Sequence, residues 1–357
     1  MSTEARPTIA VDVNPATREI ATGTEVYTRE VSARLSRIAP ELNWVFYAAR
    51  ARAGLGVDAL VLPFPRLWSQ ARLPIALARS RPDVLFVPAH AIPFAWNGKV
   101  LTVVHDLAFD RCPDAYSMAS RTYLRLSTRW AVSRCPLLIA VSEATKRDLV
   151  ELYGAHPDRV RVVLNGGGEP PALAPSPSSR LKALGVNGSY VLQVGRVEPR
   201  KNQSAALAAV ERLKDLTLVV AGPERDSQIA AALKASPSCR VLGAVSGADL
   251  ELLYAHAEAV LVPSLYEGFG LPVLEAMSRG RVVVASATPS LREVGGEGAL
   301  YVDDTGDAAQ FAAVIERAVT DSALRKSLTR KSRARARTYT WDRCAEGVVT
   351  VVRELLR

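Results

Sequence analysis

Pro263-Ser264-Leu265-Tyr266-Glu267-Gly268-Phe269-Gly270-Leu271-Pro272-Val273-Leu274-Glu275-Ala276-Met277 is the stretch whose reading decides the fold. Two carboxylates stand eight positions apart (275 − 267 = 8) around a Gly-Phe-Gly turn. Pro272 suits a first helical position, where its missing N–H would be unpaired in any residue. Glu275 then falls in the first helical turn. Free amides at the turn and the positive end of the helix dipole face an anion placed there. Carboxylates on either side of such a seat fit one elongated ligand with hydroxyls at two places. A nucleotide sugar has that order: sugar, diphosphate, ribose.

Outward from this stretch, short apolar strands alternate with helix-length segments. Expected strands in the first half are residues 8–13, 44–47, 84–87, 100–104, 137–141 and 160–164. Helices are expected over 25–38, 117–133 and 143–153. Residues 169–189, with Glu169-Pro170-Pro171 and Pro175-Ser176-Pro177-Ser178-Ser179, read as a linker between domains. A second series follows, with strands at 190–194, 217–221, 240–242, 259–262, 282–285 and 300–302. Its helices are expected at 203–213, 227–235, 249–256, 272–278 and 308–319. Ser246, three residues before Asp249, is a cap signal. The rhythm implies an α/β chain of two doubly wound domains, 1–168 and 190–340, facing across a cleft. A final amphipathic helix, 341–357, is expected to return to the first domain.

At 357 residues, two domains are the natural expectation. Met1–Pro7 carries Glu4 and Arg6 and leads into Ile9-Ala10-Val11, so no signal peptide is expected. No apolar run approaches the roughly 20 residues that span a bilayer. A cytoplasmic protein follows, with peripheral contact at the inner face of the membrane as an option. Cys112, Cys135, Cys239 and Cys344 show no CxxC spacing and read as free thiols. Net charge is +9, with arginines at 121, 125, 129 and 134 and again over 325–337. Arg121, Arg125 and Arg129 share one helix face. Such rows are either solvated faces or docking surfaces for anionic lipid.

Gly195-Arg196-Val197-Glu198-Pro199-Arg200-Lys201-Asn202 follows the first strand of the second half. Arg196 and Lys201 can neutralise a diphosphate, one as a planar fork and one as a point charge. His105-Asp106 follows a strand of the first half. The imidazole there is either a packed strand-end group or a donor to a sugar hydroxyl. Gly23 lies between the first strand and first helix, where glycine permits close backbone approach. Asn165-Gly166-Gly167-Gly168 reads as a polar strand end or a hinge. No GxxxxGK[ST], GxGxxG, GxSxG or HExxH occurs, nor any Asp-x-Asp to hold a metal on a diphosphate. The Arg196/Lys201 pair would then stabilise the leaving group, with no metal and no cofactor expected.

The ordered set resembles the GT-B-fold retaining glycosyltransferases of family 4 (glycosyl transferases group 1), mannosyltransferase-like members included. Tyr254-Ala255-His256-Ala257 through Glu267-x7-Glu275 carries the most specific part, with Gly195–Asn202 second. Gly23–Tyr27, His105-Asp106, Val141–Lys146 and Asn165-Gly166 match more loosely. The resemblance implies that Glu267 contacts hydroxyls of the transferred sugar and Glu275 holds the ribose diol. It implies that amides at Gly268, Phe269, Gly270 and Leu271 seat sugar and phosphate, and that Arg196 and Lys201 bind the diphosphate. His105 would line the reaction centre, with Gly23 and Asn165 among the donor-binding positions. The donor would be a GDP-, UDP- or ADP-linked hexose, and the acceptor a glycan or lipid-linked hydroxyl. Glu25-Val26, where the family often carries arginine, and the triple glycine after Asn165 depart from the pattern.

A nucleotide-sugar epimerase or a phosphorylase of the same fold is the alternative. The former needs further acid/base carboxylates, and the latter is a larger protein. A nucleic-acid binder is disfavoured because the basic residues lie on separated helices without interleaved aromatics. Glu267, expected in an open cleft, is expected to matter more to turnover than to stability.

Overall fold

The computed structural model describes residues 6–18, 23–64, 67–170 and 174–357. Met1–Ala5 at the start, Ala21-Thr22 before Gly23, and Pro171 of the Pro-rich stretch lie outside them. The chain divides into two units. One holds the residues up to Asp110, Ser117–Gly166 and Thr340–Arg357, and the other holds Arg111–Tyr116 and Gly167–Tyr339.

The first unit is built on a seven-stranded sheet. Its strands are β1 (Thr8–Asp12), β2 (Asn43–Ala48), β3 (Ala59–Val61), β4 (Val84–Val87), β5 (Lys99–Val104), β6 (Leu137–Ala140) and β7 (Val160–Val162), in the order β3-β2-β1-β4-β5-β6-β7. Its helices are α1 (Gly23–Ile38), α2 (Arg72–Ser80), α3 (Ala108–Arg111, which ends on the first residue of the other unit), α4 (Met118–Arg134) and α5 (Glu143–Tyr153). All described strand pairs are parallel. Strands covered by helices on both faces must be apolar along their whole length. Every residue of Val84–Val87 and Leu137–Ala140 is accordingly buried.

The second unit repeats the plan with six strands: β8 (Tyr190–Val194), β9 (Thr217–Ala221), β10 (Cys239–Gly243), β11 (Ala259–Val262), β12 (Val283–Ser286) and β13 (Leu300–Val302). Their order is β10-β9-β8-β11-β12-β13, again parallel in every described pair. The helices are α6 (Ser179–Ala183), α7 (Gln203–Val210), α8 (Ser227–Ala235), α9 (Gly247–His256), α10 (Leu271–Ser278), α11 (Pro289–Gly295), α12 (Ala308–Thr320) and α13 (Ser322–Ala336). Phe311 and Ile315 of α12 pack into a core with Leu218, Val220, Leu261 and Val284. Ser246 caps α9 by accepting from the Asp249 amide at 3.1 Å. Asp249 in turn accepts from Ser176 Oγ at 2.8 Å and pairs with Arg180, which anchors that part of the Pro/Ser-rich stretch in this unit.

The last helix, α14 (Trp341–Leu356), belongs to the first unit. It buries Trp341, Ala345, Val348, Val349 and Val352. Its Asp342 takes Arg34 Nε at 2.8 Å and Arg37 Nη2 at 2.7 Å, both from α1.

The structure departs from the sequence expectations in a few places. Strand β3 was not expected, because Leu60 and Val61 at this edge are exposed and lack the buried-strand pattern. Helix α13 was not expected either: its buried stripe is only Leu328, Ser332 and Ala336, under a row of arginines. Glu275 falls in the second turn of α10, because the helix starts at Leu271, one residue before Pro272. Arg121, Arg125 and Arg129 do not form one solvated row. Arg125 is tied to Asp110 at 2.5 Å and the Arg121 Nε is buried.

The triple glycine has a packing reason. A Cβ on Gly166 would stand 2.4 Å from the Trp341 nitrogen, and one on Gly168 would stand 1.8 Å from the Ala336 carbonyl oxygen. Gly168 N–H also donates to Tyr339 O at 2.8 Å. Gly168→Ala must therefore move backbone rather than a side chain. We expect it to cost at least about 2 kcal/mol in a denaturant melt, whereas Gly188→Ala, with open space around its Cβ and only its left-handed φ against it, should cost about 1 kcal/mol.

Candidate active site

In a doubly wound sheet, ligands bind beyond the carboxyl ends of the strands where strand order reverses. In the second unit that point lies between β8 and β11, so the loops 195–202 and 263–270 flank it. These loops are stitched together. The Leu265 amide donates to Arg200 O at 2.9 Å, and Asn202 Nδ2 donates to Pro263 O at 3.1 Å and Thr305 O at 2.8 Å.

Glu267 sits at the centre of the stitching. Its Oε1 accepts from Lys201 Nζ at 2.5 Å and from Ser264 Oγ at 2.7 Å, and its Oε2 accepts from Arg200 Nη1 at 2.9 Å. Its carbonyl accepts from Ser290 Oγ at 2.6 Å. Burial alone would raise this carboxyl, but the Lys201 and Arg200 charges overrule it and hold the pKa at about 2, below its usual 4.5. The carboxyl is only 8% exposed. The expectation of an open carboxylate that packs against little is thus corrected: two cations converge on Glu267, and removing it strands Lys201, while Arg200 keeps Glu198.

Arg200, which the sequence showed only as part of a charged run, is the second of those cations. It also bonds Glu198 Oε1 at 2.8 Å and Tyr266 O at 3.0 Å. No spacing rule singles it out; only the fold brings it to Glu267. Arg196, expected to act beside Lys201, is not drawn into the cluster. Its carbonyl accepts from Gln203 Nε2 at 2.8 Å, and its guanidinium pairs with no described residue. It is the cation of this loop without a partner among the described residues.

After Glu267 the chain turns through Gly268, Phe269 and Gly270 into α10. Gly270 has φ +110°, a conformation costly for any residue with a Cβ. The amides of Phe269, Gly270 and Leu271 donate to no described residue and stand at the positive end of α10. Further along the helix, Glu275 accepts from Tyr254 Oη at 2.8 Å. Arg279 stacks on the Tyr254 ring 4.5 Å from its centroid and pairs with Glu251. Burial raises the Glu275 carboxyl despite Arg279 nearby. The Tyr254 of the sequence signature thus serves to orient Glu275.

The corresponding reversal in the first unit lies between β1 and β4. His105 follows β5 and donates from Nε2 to Pro88 O, 2.7 Å away at the end of β4. A carbonyl can only accept, so Nε2 carries the proton. Burial lowers the pKa of His105, although Asp106 and Glu25 pull the other way. The ring is then neutral and its Nδ1 is an acceptor, so a donating role for His105 requires that ring to protonate. Tyr27 meets it edge-on at 4.9 Å between centroids. Two residues here had no sequence signal beyond lying near strand ends. His90, whose Nε2 is 2.5 Å from Thr128 Oγ1, is pushed down by burial to about 4. Asp12, at the end of β1, is pushed up by burial to about 7 while accepting from the Asn14 amide at 3.0 Å.

Gly23 is the first residue of α1 and is exposed. Two residues on, Glu25 is buried and paired with Arg18 at 2.8 Å, a carboxylate already at the positive helix end. Asn165 is buried, and its Oδ1 has no partner among the described residues. His105, Gly23 and Asn165 belong to the first unit, and Lys201, Glu267, Gly268–Leu271 and Glu275 to the second. The four cysteines are free, Cys135 and Cys344 buried and Cys112 and Cys239 half-buried. Among the described residues no His/Cys/Asp/Glu group could hold a metal, and no helix is long and apolar enough to cross a membrane.

Two family models match the chain: Glycosyltransferase Family 4 over residues 21–166 and Glycosyl transferases group 1 over residues 181–335. The chain belongs to this glycosyltransferase family and is an enzyme of that class. It is 30% identical over 271 residues to the O-antigen chain mannosyltransferase B of Escherichia coli, covering 72% of this chain and 71% of that protein. It is 32% identical over 250 residues to a D-inositol 3-phosphate glycosyltransferase of Salinispora arenicola, covering 62% of this chain and 56% of the relative. The fold matches Anabaena HepE in complex with UDP-glucose, with a TM-score of 0.76, 18% identity and coverage of 97% of this chain and 99% of that one. It equally matches sucrose-phosphate synthase from Thermosynechococcus elongatus, with a TM-score of 0.76, 19% identity and coverage of 98% and 99%.

Glu267→Ala is expected to cost about 3–5 kcal/mol by leaving Lys201 buried without its counter-charge, while Arg200 keeps Glu198, read from denaturant unfolding at pH 7. In the wild type this carboxylate has a lowered pKa, so its contribution is present above pH 4.5 and fades as pH falls toward about 2. Asp12 has the opposite sign. With its carboxyl raised from 3.8 to about 7, charging it at pH 8 opposes folding. Asp12→Asn should therefore raise stability at pH 8 by about 2–4 kcal/mol and change little below pH 4. A gain that is the same at both pH values would refute the assignment.

Proposed function

We propose that the enzyme moves a hexose, mannose first among candidates, from a nucleotide-diphosphate sugar to a hydroxyl of a glycan or lipid-linked acceptor. The reaction proceeds with retention at the anomeric carbon and without a divalent metal. The observation that carries this reading is the cluster at the β8/β11 reversal. There Glu267 fixes Lys201, Arg196 is left without a protein partner, and three free amides open α10. Cations and amides of this kind stabilise a departing diphosphate. The mannosyl reading draws on the E. coli relatives, which include the serotype-specific mannosyltransferase WbdA at 26% identity. The O-antigen chain mannosyltransferases among the relatives, B of E. coli and RfbU of Salmonella typhimurium, make polymer biosynthesis the first context to test.

In this scheme Arg196 and Lys201 hold the diphosphate, and the amides of Phe269–Leu271 seat the phosphate beside the sugar. Glu267 accepts from sugar hydroxyls, and Glu275, oriented by Tyr254, accepts from the ribose diol. The bond between the anomeric carbon and the phosphate oxygen breaks through an oxocarbenium-like state. The acceptor oxygen attacks from the same face, and its proton passes to the leaving phosphate oxygen. His105 lines the reaction centre, and Gly23 and Asn165 complete the donor contacts. Contact with an anionic membrane belongs to the same reading: α4 exposes Met118, Tyr123 and Leu126.

GDP-mannose, UDP-glucose and ADP-glucose are each incubated with the enzyme and candidate lipid-linked acceptors, with excess chelator, and the product linkage is read by NMR. Transfer that survives chelation with retained configuration is the expected result; inversion or strict metal dependence would contradict the scheme. Conversion of the donor to an isomer without acceptor would favour an epimerase instead. Arg196→Ala should lower kcat by about 10²–10³ with an unchanged melting temperature, since the guanidinium has no structural partner to lose.

A further inference from the structure

The basic residues near the end of the second unit are not balanced by the protein. Helix α13 carries Arg325, Lys326, Arg330 and Arg333, with Arg337 as its C-cap, and spacings of three, four and seven put such residues along one side. Two recesses open beside them. One, of about 450 Å³, has Arg279, Arg281, Arg333 and Arg337 on its wall with a single carboxylate, Glu251. The other, of about 570 Å³, is lined by Arg325, Lys326, Arg330, Arg333 and Arg337 with no carboxylate. Glu251 is committed to Arg279, and Arg325 pairs with Glu258 at 3.0 Å. No described residue supplies a counter-charge to Lys326, Arg330, Arg333 or Arg337.

Arg281 is partly buried in the wall of the first recess. Its Nε is buried and bonded to no described residue, and its Nη1 only reaches Ala257 O at 3.4 Å. Burial lowers its pKa, and the neighbouring Arg325 and Arg333 lower it further. Gly280 makes room for this crowding: a Cβ there would stand 2.4 Å from Arg333 Nε. Its carbonyl accepts from Thr329 Oγ1 at 3.1 Å, which fixes α13 against the wall. Converging like charges in a partly buried recess are costly unless an anion joins them. Guanidinium forks match the oxygens of phosphate, and several of them suit a dianion better than a carboxylate.

We propose that this arginine-lined recess binds a phosphate-bearing anion at a second site, apart from the donor loops. The separation follows from the sheet. Arg281 precedes β12, on the edge where strands begin, whereas the donor loops follow the ends of β8 and β11 in the same parallel sheet. One residue links the two places. Arg279, on the recess wall, donates to Glu275 O at 2.7 Å and stacks on Tyr254. A phosphate that draws Arg279 from Glu251 therefore acts directly on the backbone that carries Glu275.

Inorganic tripolyphosphate is titrated calorimetrically into four forms of the full chain: wild type, Lys201→Ala, Arg333→Gln/Arg337→Gln, and a control of equal charge loss, Arg37→Gln/Arg353→Gln. Circular dichroism confirms that each is folded. Wild type, Lys201→Ala and the control should all bind at the recess with the same Kd within twofold, and Arg333→Gln/Arg337→Gln should weaken that event at least tenfold. Flotation with phosphatidylglycerol against phosphatidylcholine vesicles separates the sources. Tripolyphosphate binding without flotation assigns a soluble phosphate, and flotation lost in Arg333→Gln/Arg337→Gln assigns a lipid headgroup. Loss of all binding in Lys201→Ala, equal weakening in the control, or no binding to either probe overturns the proposal.

Discussion

A buried carboxylate held between two cations organises the second unit. Glu267 accepts from Lys201, Arg200 and Ser264, and those residues come from the two loops that flank the strand reversal. A charge at 8% exposure is tolerable only when every oxygen is engaged. Meeting that condition fixes the path of residues 195–202 against residues 263–270, and with it the start of α10. The free amides of Phe269, Gly270 and Leu271 and the unpaired guanidinium of Arg196 follow from that path. An internal charge is thus satisfied first, and the positive groups it does not use are left without a protein partner among the described residues.

The first unit meets burial differently. Its polar groups near the strand ends are kept neutral or nearly so. His105 donates its Nε2–H to Pro88 O in a hydrogen bond, burial pushes His90 down to about 4, and burial pushes Asp12 up to about 7. No described cation offsets the desolvation of Asp12 in the way Lys201 and Arg200 do for Glu267, and the Asp106 carboxylate offsets that of the two histidines only in part. Among the paired carboxylates of this unit are Glu25, at the positive end of α1, against Arg18, and Asp110 against Arg125.

Legibility in the sequence tracked burial. Strands such as Val84–Val87, Tyr190–Val194 and Ala259–Val262, and helices such as Glu143–Tyr153 and Trp341–Leu356, have the bounds expected from the sequence, because a doubly covered strand or an amphipathic helix needs its apolar residues in one pattern. Helix α2 escaped although Leu73 and Leu77 are buried on one face, and several other escaped elements have no such pattern. Strand β3 is an exposed edge, α13 hides three small or apolar residues under arginines, and α6 lies in a Pro/Ser-rich stretch. The triple glycine read as a hinge, yet its cause is contact with Trp341 and Ala336, residues some 170 positions away that no local rule can see.

By itself the sequence determined the alternation of strands and helices, the two doubly wound units, the turn at Gly268–Gly270 and the family to which the chain belongs, since each rests on spacing along the chain. Tertiary structure decided which charges meet. Glu267 is buried rather than open, Arg200 rather than Arg196 is its second cation, Tyr254 orients Glu275, and the α13 arginines converge with Arg281. Periodicity specifies which side of an element a residue occupies, but an ion pair depends on where separate elements come to rest, and that is set only when the core packs.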